Sequence, residues 1–463
     1  MPDITSAQFR FRTRLFWTTK RKYLIFPDFS RKSSPNNYHC RTMKVLKNVL
    51  WIIVVLLALQ VIKVLLNRAA MAWSSLGIIV TGCLQFFVVV AGLCLWLLAS
   101  VLKRVVRLRR PVMAACFIVC GSMASVECLM AWWMYHPAQI PLVIRPSYCY
   151  YYDYFQEDLL QFDARYATYD KDFFYALKPD TTFNFRNIEF NSIFRTNRIG
   201  MRDGDTALSS AQVACLGDSY TMGWGVGEGE SFPARLSALS GLRVVNMGMA
   251  SFGTARELKS LQRIDISHLQ WLVIQYCSND QDENKVCTEH NYVLPISTPS
   301  KYKGLVEAAA SSRHYFPGKY LLIIGNYFWK TMLNRIYPFF SLRWERKDWG
   351  KGQEGQAKLF MDVLLHSSID FRKTKVVLTM MDDVDNMRGN FLREIQRLSA
   401  TAPYNERLAG GLHVLDADTL LSQDDRYILD MHFKASGHEK VARALSRILQ
   451  SEANLKDATM VNQ

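Results

Sequence analysis

The chain has 463 residues, 49% of them hydrophobic and 21% charged, with a formal net charge of +15, enough for one large folded domain or two smaller ones. The charge is unevenly placed: residues 1–136 hold 18 Lys and Arg against Asp3, Asp28 and Glu127, while the remainder carries 38 basic and 38 acidic residues. A nucleic-acid-binding protein needs a basic face on a folded domain, and the neutral remainder excludes that class.

Residues 1–47 read as a basic cytoplasmic tail with eleven Lys and Arg. Met43 opens "MKVLKNVLW", a second plausible start, and the long segment before the first apolar run is unlike a cleavable signal peptide. Residues 48–135 then predict three transmembrane helices, 48–66, 76–102 and 112–134. Each is at least about 28 Å long as a helix, against a bilayer core of about 30 Å. The second joint, "KRVVRLRRP" from Lys103 to Pro111, is strongly basic, so it and the tail belong in the cytoplasm. An odd number of spans places everything after Trp132, Trp133 and Tyr135 in the periplasm or outside the cell. The expected location is therefore the cytoplasmic (inner) membrane.

Glu127 lies inside the third span, near its outer end, where a carboxylate is either functional or has a structural or snorkelling role. Five of the ten cysteines lie in the spans, where they act as small hydrophobes. Outside, Cys149, Cys215, Cys277 and Cys287 are placed where an oxidising compartment would allow pairing. No CxxC spacing occurs, so no metal is expected.

Residues 136–210 form an extracytoplasmic lead-in, rich in aromatic and polar residues and without helical period, that packs against the next domain. Residues 211–450 alternate short apolar runs (213–216, 243–246, 271–276, 375–380, 412–415) with helix-like stretches (231–239, 255–263, 355–367, 390–400). That alternation predicts an α/β domain with a parallel sheet covered on both faces. In such sheets the chemistry gathers beyond the carboxyl ends of the strands. Four runs end at or lead to Gly217-Asp218-Ser219, Asn246-Met247-Gly248, Ser278-Asn279-Asp280 and Asp430-Met431-His432. A serine, glycine and asparagine amides, and an Asp/His pair on one edge have the parts that acyl transfer needs. In an extended segment, Asp430 and His432 would point to one side.

The blocks "GDSYTMGWGV", "NMGMASFGT", "CSND" and "DMHFKASGH" resemble, in order, those of the SGNH, or GDSL-like, hydrolases. The likeness runs over about 194–449 and includes "FRTNRIGMRDGD", similar to a segment that often precedes the serine block. It departs where Cys277 stands in place of the usual glycine. The resemblance implies a flavodoxin-like three-layer fold and ester hydrolysis by Ser219, with His432 as base and Asp430 orienting it. It further implies an oxyanion hole of the Ser219 amide, the Gly248 amide and the Asn279 side chain, and no cofactor.

Other residues compete for these roles. Asp218 suits the turn better than the chemistry, and Asp280 rivals Asn279, although only an amide can donate to an oxyanion. His438 rivals His432, but Ser436 and Glu439 read as a capping box that puts His438 in a first helical turn. Gly223, Gly225, Gly227 and Gly229 lack the GxxxxGK[ST] pattern of a phosphate loop. The aromatic insertion 315–349 is either a helical hairpin packed on its own domain or a lid or interfacial element near the membrane.

The expected protein is a membrane-anchored extracytoplasmic esterase, its partners the bilayer and an acyl, or acetyl, ester on an envelope glycan or lipid. The alternatives are an O-acyltransferase acting on a cell-surface polysaccharide, which would need a membrane partner to supply the acyl donor, and a non-catalytic scaffold. Residues 451–463 are read as a C-terminal tail.

Overall fold

The computed structural model describes residues 109–155, 159–277, 279–336, 353–381 and 388–461. The basic tail and the expected spans 48–66 and 76–102 lie outside them. The chain divides into two compact units, Met1–His136 with Tyr315–Tyr327, and Pro137–His314 with Phe328–Gln463.

The first unit contains α1 (Arg109–Met134). Its stretch Phe117–Met134 is long and apolar enough to cross a membrane, and Phe117, Ile118, Val119, Val126 and Leu129 are exposed. Among the described residues it is the only such helix.

The second unit opens with α2 (Arg145–Phe155), followed by two antiparallel hairpins: β1 (Ala167–Asp170) with β2 (Phe174–Leu177), and β3 (Thr182–Arg186) with β4 (Asn191–Arg195). The lead-in, expected to lack helical period, thus holds a helix of three turns. In "RPSYCYYYDYF" nearly every position is aromatic or polar, so no stripe stands out, yet Tyr148, Tyr151 and Tyr152 are buried at helical spacing.

Next comes the α/β core. Its elements are β5 (Val213–Leu216), α3 (Ser219–Met222), α4 (Phe232–Ser240), β6 (Val244–Asn246), α5 (Thr254–Ser260), β7 (Trp271–Tyr276), α6 (Asp280–Glu289) and α7 (Pro299–Ser312). Then follow α8 (Lys319–Ile336), whose residues up to Tyr327 belong to the first unit, α9 (Gln353–His366), β8 (Lys375–Met380), α10 (Arg388–Ser399), α11 (Tyr404–Arg407), β9 (Leu412–Asp416) and α12 (Ala435–Val461). The five strands β6-β5-β7-β8-β9 are all parallel. This is the doubly wound order in which the chain starts inside the sheet and winds outward in both directions.

Alternation along the strands divides the core. Val213, Cys215, Trp271, Val273 and Val377 face α4 and α12 through Phe232, Leu236, Val441 and Leu445. Ala214, Leu216, Leu272, Ile274, Val376 and Leu378 face the opposite cluster with Phe360 and Phe391. Both faces are therefore apolar, which is why the strands read as unbroken hydrophobic runs. Each fully buried Leu or Phe here contributes about 1.5–3 kcal/mol relative to an exposed one. Cys149, Cys215, Cys277 and Cys287 are all free thiols.

Candidate active site

Strand β5 hands over to α3 through Gly217 and Asp218. Gly217 has φ 154°, and a Cβ there would lie 2.1 Å from Thr221 Oγ1 and 2.4 Å from Gln275 Oε1, so only glycine lets the turn close this tightly. Asp218 takes the turn-forming role expected of it, its Oδ1 accepting the Tyr220 amide at 3.0 Å. Gln275 on β7 fastens the turn from the next strand, accepting from the Asp218 amide and Thr221 Oγ1, each at 3.1 Å. Ser219 is thereby held, half-buried, as the first residue of α3.

The chain after α3 is fixed by Arg202, from the segment that precedes the serine block. Its buried guanidinium donates to the carbonyls of Met222 and Gly223 and, at 2.5 Å, to that of Val226. Burial brings its pKa down to about 10, and the nearby Glu228 and Glu230 oppose that shift.

Ser219, His432 and Asp430 come together. Ser219 Oγ lies 2.7 Å from His432 Nε2, and His432 Nδ1 lies 2.5 Å from Asp430 Oδ1. The segment between them is not extended, however. Met431 has φ 64°, the left-handed region, because a tight turn rather than a strand brings the carboxylate back onto its own histidine. A non-glycine residue there costs roughly 1–2 kcal/mol, strain of a kind that concentrates at functional sites. The imidazole is stacked on Trp224 at a centroid distance of 5.1 Å and flanked by Tyr220 at 4.9 Å.

The second oxygen of Asp430 is surrounded by three donors, two of them absent from the four blocks. Oδ2 accepts from Tyr152 OH at 2.5 Å, Asn187 Nδ2 at 2.8 Å and Trp224 Nε1 at 3.2 Å. Asn187 sits in the β3–β4 turn, its Oδ1 taking the amides of Glu189 and Phe190, which aims its NH2 group at Asp430. Glu189 then holds the backbone beneath, accepting the amides of Ile428, Leu429 and Asp430 at 2.7–2.9 Å. Burial opposes charge on Asp430, but the charge of His432 and the hydrogen bonds from His432, Tyr152 and Trp224 outweigh it. They hold its carboxyl below the ordinary value. Glu189 goes the other way: burial raises its pKa despite the three amides.

The remaining candidates stand as follows. Gly248 follows β6 and presses on α3, where a Cβ would lie 2.2 Å from Met222 N, and its amide donates to Asn246 Oδ1 at 3.0 Å. Asn279 is exposed, immediately before α6, and its side chain does not cap that helix. Because β5 lies between β6 and β7, Ser219, Gly248 and Asn279 follow three neighbouring strands at one sheet edge. Asp280 instead turns into the interior and accepts from Thr254 Oγ1 at 2.9 Å. His438 is buried, with Nδ1 accepting the Phe232 amide at 3.2 Å, and burial brings its pKa down to about 3. The expected capping box is not formed: α12 begins at Ala435, two residues before the start that a Ser436 N-cap implies, and Ser436 donates to Asp425 Oδ1 at 2.8 Å.

A serine hydroxyl on an imidazole, itself on an ionised carboxylate, can pass its proton to the ring as the oxygen attacks an electrophile. Among the described residues, no three His, Cys, Asp or Glu side chains are grouped as a metal site requires. No protein-family model matches the chain, and no curated protein matches it. Among solved structures, it is similar to a protein from Desulfitobacterium hafniense DCB-2 described as lipolytic and of the G-D-S-L family, with 16% identity and a TM-score of 0.25, over 52% of this chain and 99% of that one.

Proposed function

We propose that the protein is an SGNH-type serine ester hydrolase, anchored in the cytoplasmic membrane by helices within 48–135, with the lead-in 136–210 and catalytic domain 211–450 outside the cytoplasm. The observation that carries the reading is the relay from Ser219 Oγ through His432 to Asp430, with contacts of 2.7 and 2.5 Å. In the reaction, Ser219 Oγ bonds to the ester carbonyl carbon while its proton moves to His432 Nε2. The tetrahedral oxyanion is held by the Ser219 amide, the Asn279 amide group and the Gly248 amide. Gly248 would turn from Asn246 to the oxyanion, exchanging a neutral hydrogen bond for a stronger charge-assisted one. The intermediate collapses, the leaving alcohol takes the proton from His432, and a water deprotonated by the same ring releases the acyl group. The substrate is an acyl, most simply acetyl, ester on an envelope glycan or lipid, a choice supported by the basic joint 103–110, which favours a site outside the cytoplasm.

An organophosphonate ester probe tests the assignment. It should label the protein on Ser219 and leave Ser219→Ala unlabelled. The Asn279→Ala variant should still fold but lose about 10²–10³ in turnover of an activated acetyl ester. Equal labelling of Ser219→Ala would remove Ser219 from the chemistry, and an unchanged rate would remove Asn279.

A further inference from the structure

The start of a helix leaves about four backbone N–H groups without acceptors inside the helix, and water usually takes them. At α8, protein atoms take those of its first three residues. Lys319 N donates to Phe316 O at 3.0 Å, and Leu322 N already makes the regular helical bond to Gly318 O at 2.9 Å. Tyr320 N and Leu321 N both reach the carboxylate of Glu127, at 3.2 and 2.7 Å. The Tyr315 hydroxyl adds a third donor to Glu127, at 3.0 Å. Glu127 belongs to α1 and is 3% exposed. It lies within the apolar stretch Phe117–Met134, roughly 10 Å before the helix end at about 1.5 Å per residue.

The chain that follows is apolar on every side. From Tyr320 to Trp329 only Gly325 and Asn326 interrupt the hydrophobic residues. Ile324 is buried, whereas Phe316 and Leu322 are 47% and 61% exposed. A helix on a water-facing surface carries a polar side, and one that is hydrophobic all round belongs in a core or a membrane.

We propose that the start of α8 is immersed in lipid: a bilayer covers Phe316 and Leu322, and Glu127 is the cap that lets a helix begin there. In hydrocarbon every backbone polar group needs an internal partner, and the amides of Lys319, Tyr320 and Leu321 each have one. A carboxylate within a span is expensive unless it is paired. Here it gains two backbone amides, a phenol and the positive end of a helix. The inference rests on α1 spanning the membrane and makes α8 a second, re-entrant attachment.

The test uses the full-length protein in phosphatidylcholine–phosphatidylglycerol nanodiscs. A fluorescent amino acid is placed in turn at Ile118 on α1, at Leu322 and at the exposed Val293. Nitroxide on the lipid acyl chains should quench positions 118 and 322 several-fold more than aqueous iodide does, with the reverse at 293. Lipid quenching at 118 with iodide quenching at 322 would overturn the proposal and leave the span intact. Iodide quenching at both would overturn the span and the proposal together. In Glu127→Leu the label at 322 should move from lipid-quenched to iodide-quenched while that at 118 does not change. In Glu127→Gln, which keeps an acceptor oxygen, it should stay lipid-quenched. No response to Glu127→Leu would show that Glu127 is not the cap.

Discussion

Asp430 receives one hydrogen bond from the residue it orients and three from residues that hold it, Tyr152, Asn187 and Trp224. Those three draw charge away from the oxygen that faces His432. Removing one, as in Tyr152→Phe, leaves a more basic carboxylate that stabilises the imidazolium more, so the acid limb of the pH profile should move to higher pH. The expected loss in kcat/KM is several-fold near pH 6 and smaller at pH 8. A profile scaled down without moving would mean that Tyr152 only fills space. His438 gives a separate pH effect. Its pKa is about 3 in the folded chain and about 6.5 unfolded, so the unfolded state binds more protons between those values. Stability is then complete above about pH 6.5 and falls on acidification by on the order of 1.4 kcal/mol per pH unit. A glutamine can still accept from the Phe232 amide, so His438→Gln should flatten that slope in melting experiments and leave turnover at pH 7.5 nearly unchanged. Of these residues, His432 and Asp430 were readable because they share one short block. Tyr152 and Asn187 were not, since they lie 278 and 243 positions from Asp430 in a segment without a spacing rule.

The strands were legible because a sheet buried on both faces writes itself as short unbroken apolar runs; only the ends of 243–246 and 412–415 shifted by a residue. Helix α2 was not legible, because its five tyrosines have modest helix propensity and fall on both its buried and its exposed sides. Burial of Tyr148, Tyr151 and Tyr152 rather than local preference sets its conformation. The insertion left two alternatives, and residues 337–352 lie outside the described part, but Tyr315–Tyr327 groups with α1 rather than with the α/β unit. The contact between the β6 turn and α3 makes a prediction at this scale. A methyl group at position 248 would meet backbone, Met222 N and Thr221 C at 2.2 and 2.6 Å, which cannot rotate away. The Gly248→Ala variant should therefore keep its sheet by circular dichroism and lose probe labelling by a factor of about 10² or more, as misplaced catalytic groups do.

For the whole molecule, the proposed function turns on which side of the membrane the site would face, since that side would decide which esters it could meet. The five basic residues Lys103, Arg104, Arg107, Arg109 and Arg110 favour a cytoplasmic joint. A reporter active only outside the cytoplasm should work when fused after Gln463 and fail when fused after Arg109. A C-terminal fusion that reports cytoplasm would exclude envelope esters and point to a cytoplasmic ester or thioester. The long reach of Tyr152 to Asp430 also sets a schedule. On a ribosome adding about 5–20 residues per second, Tyr152 waits roughly a quarter of a minute to a minute for the partner 278 residues downstream. For the later part of that interval Ser219 has been synthesised but has neither its base nor the carboxylate that orients it. On the proposed reading, a nascent chain is therefore chemically silent, and hydrolysis would begin only when helix α2 and one of the last segments to be translated have met.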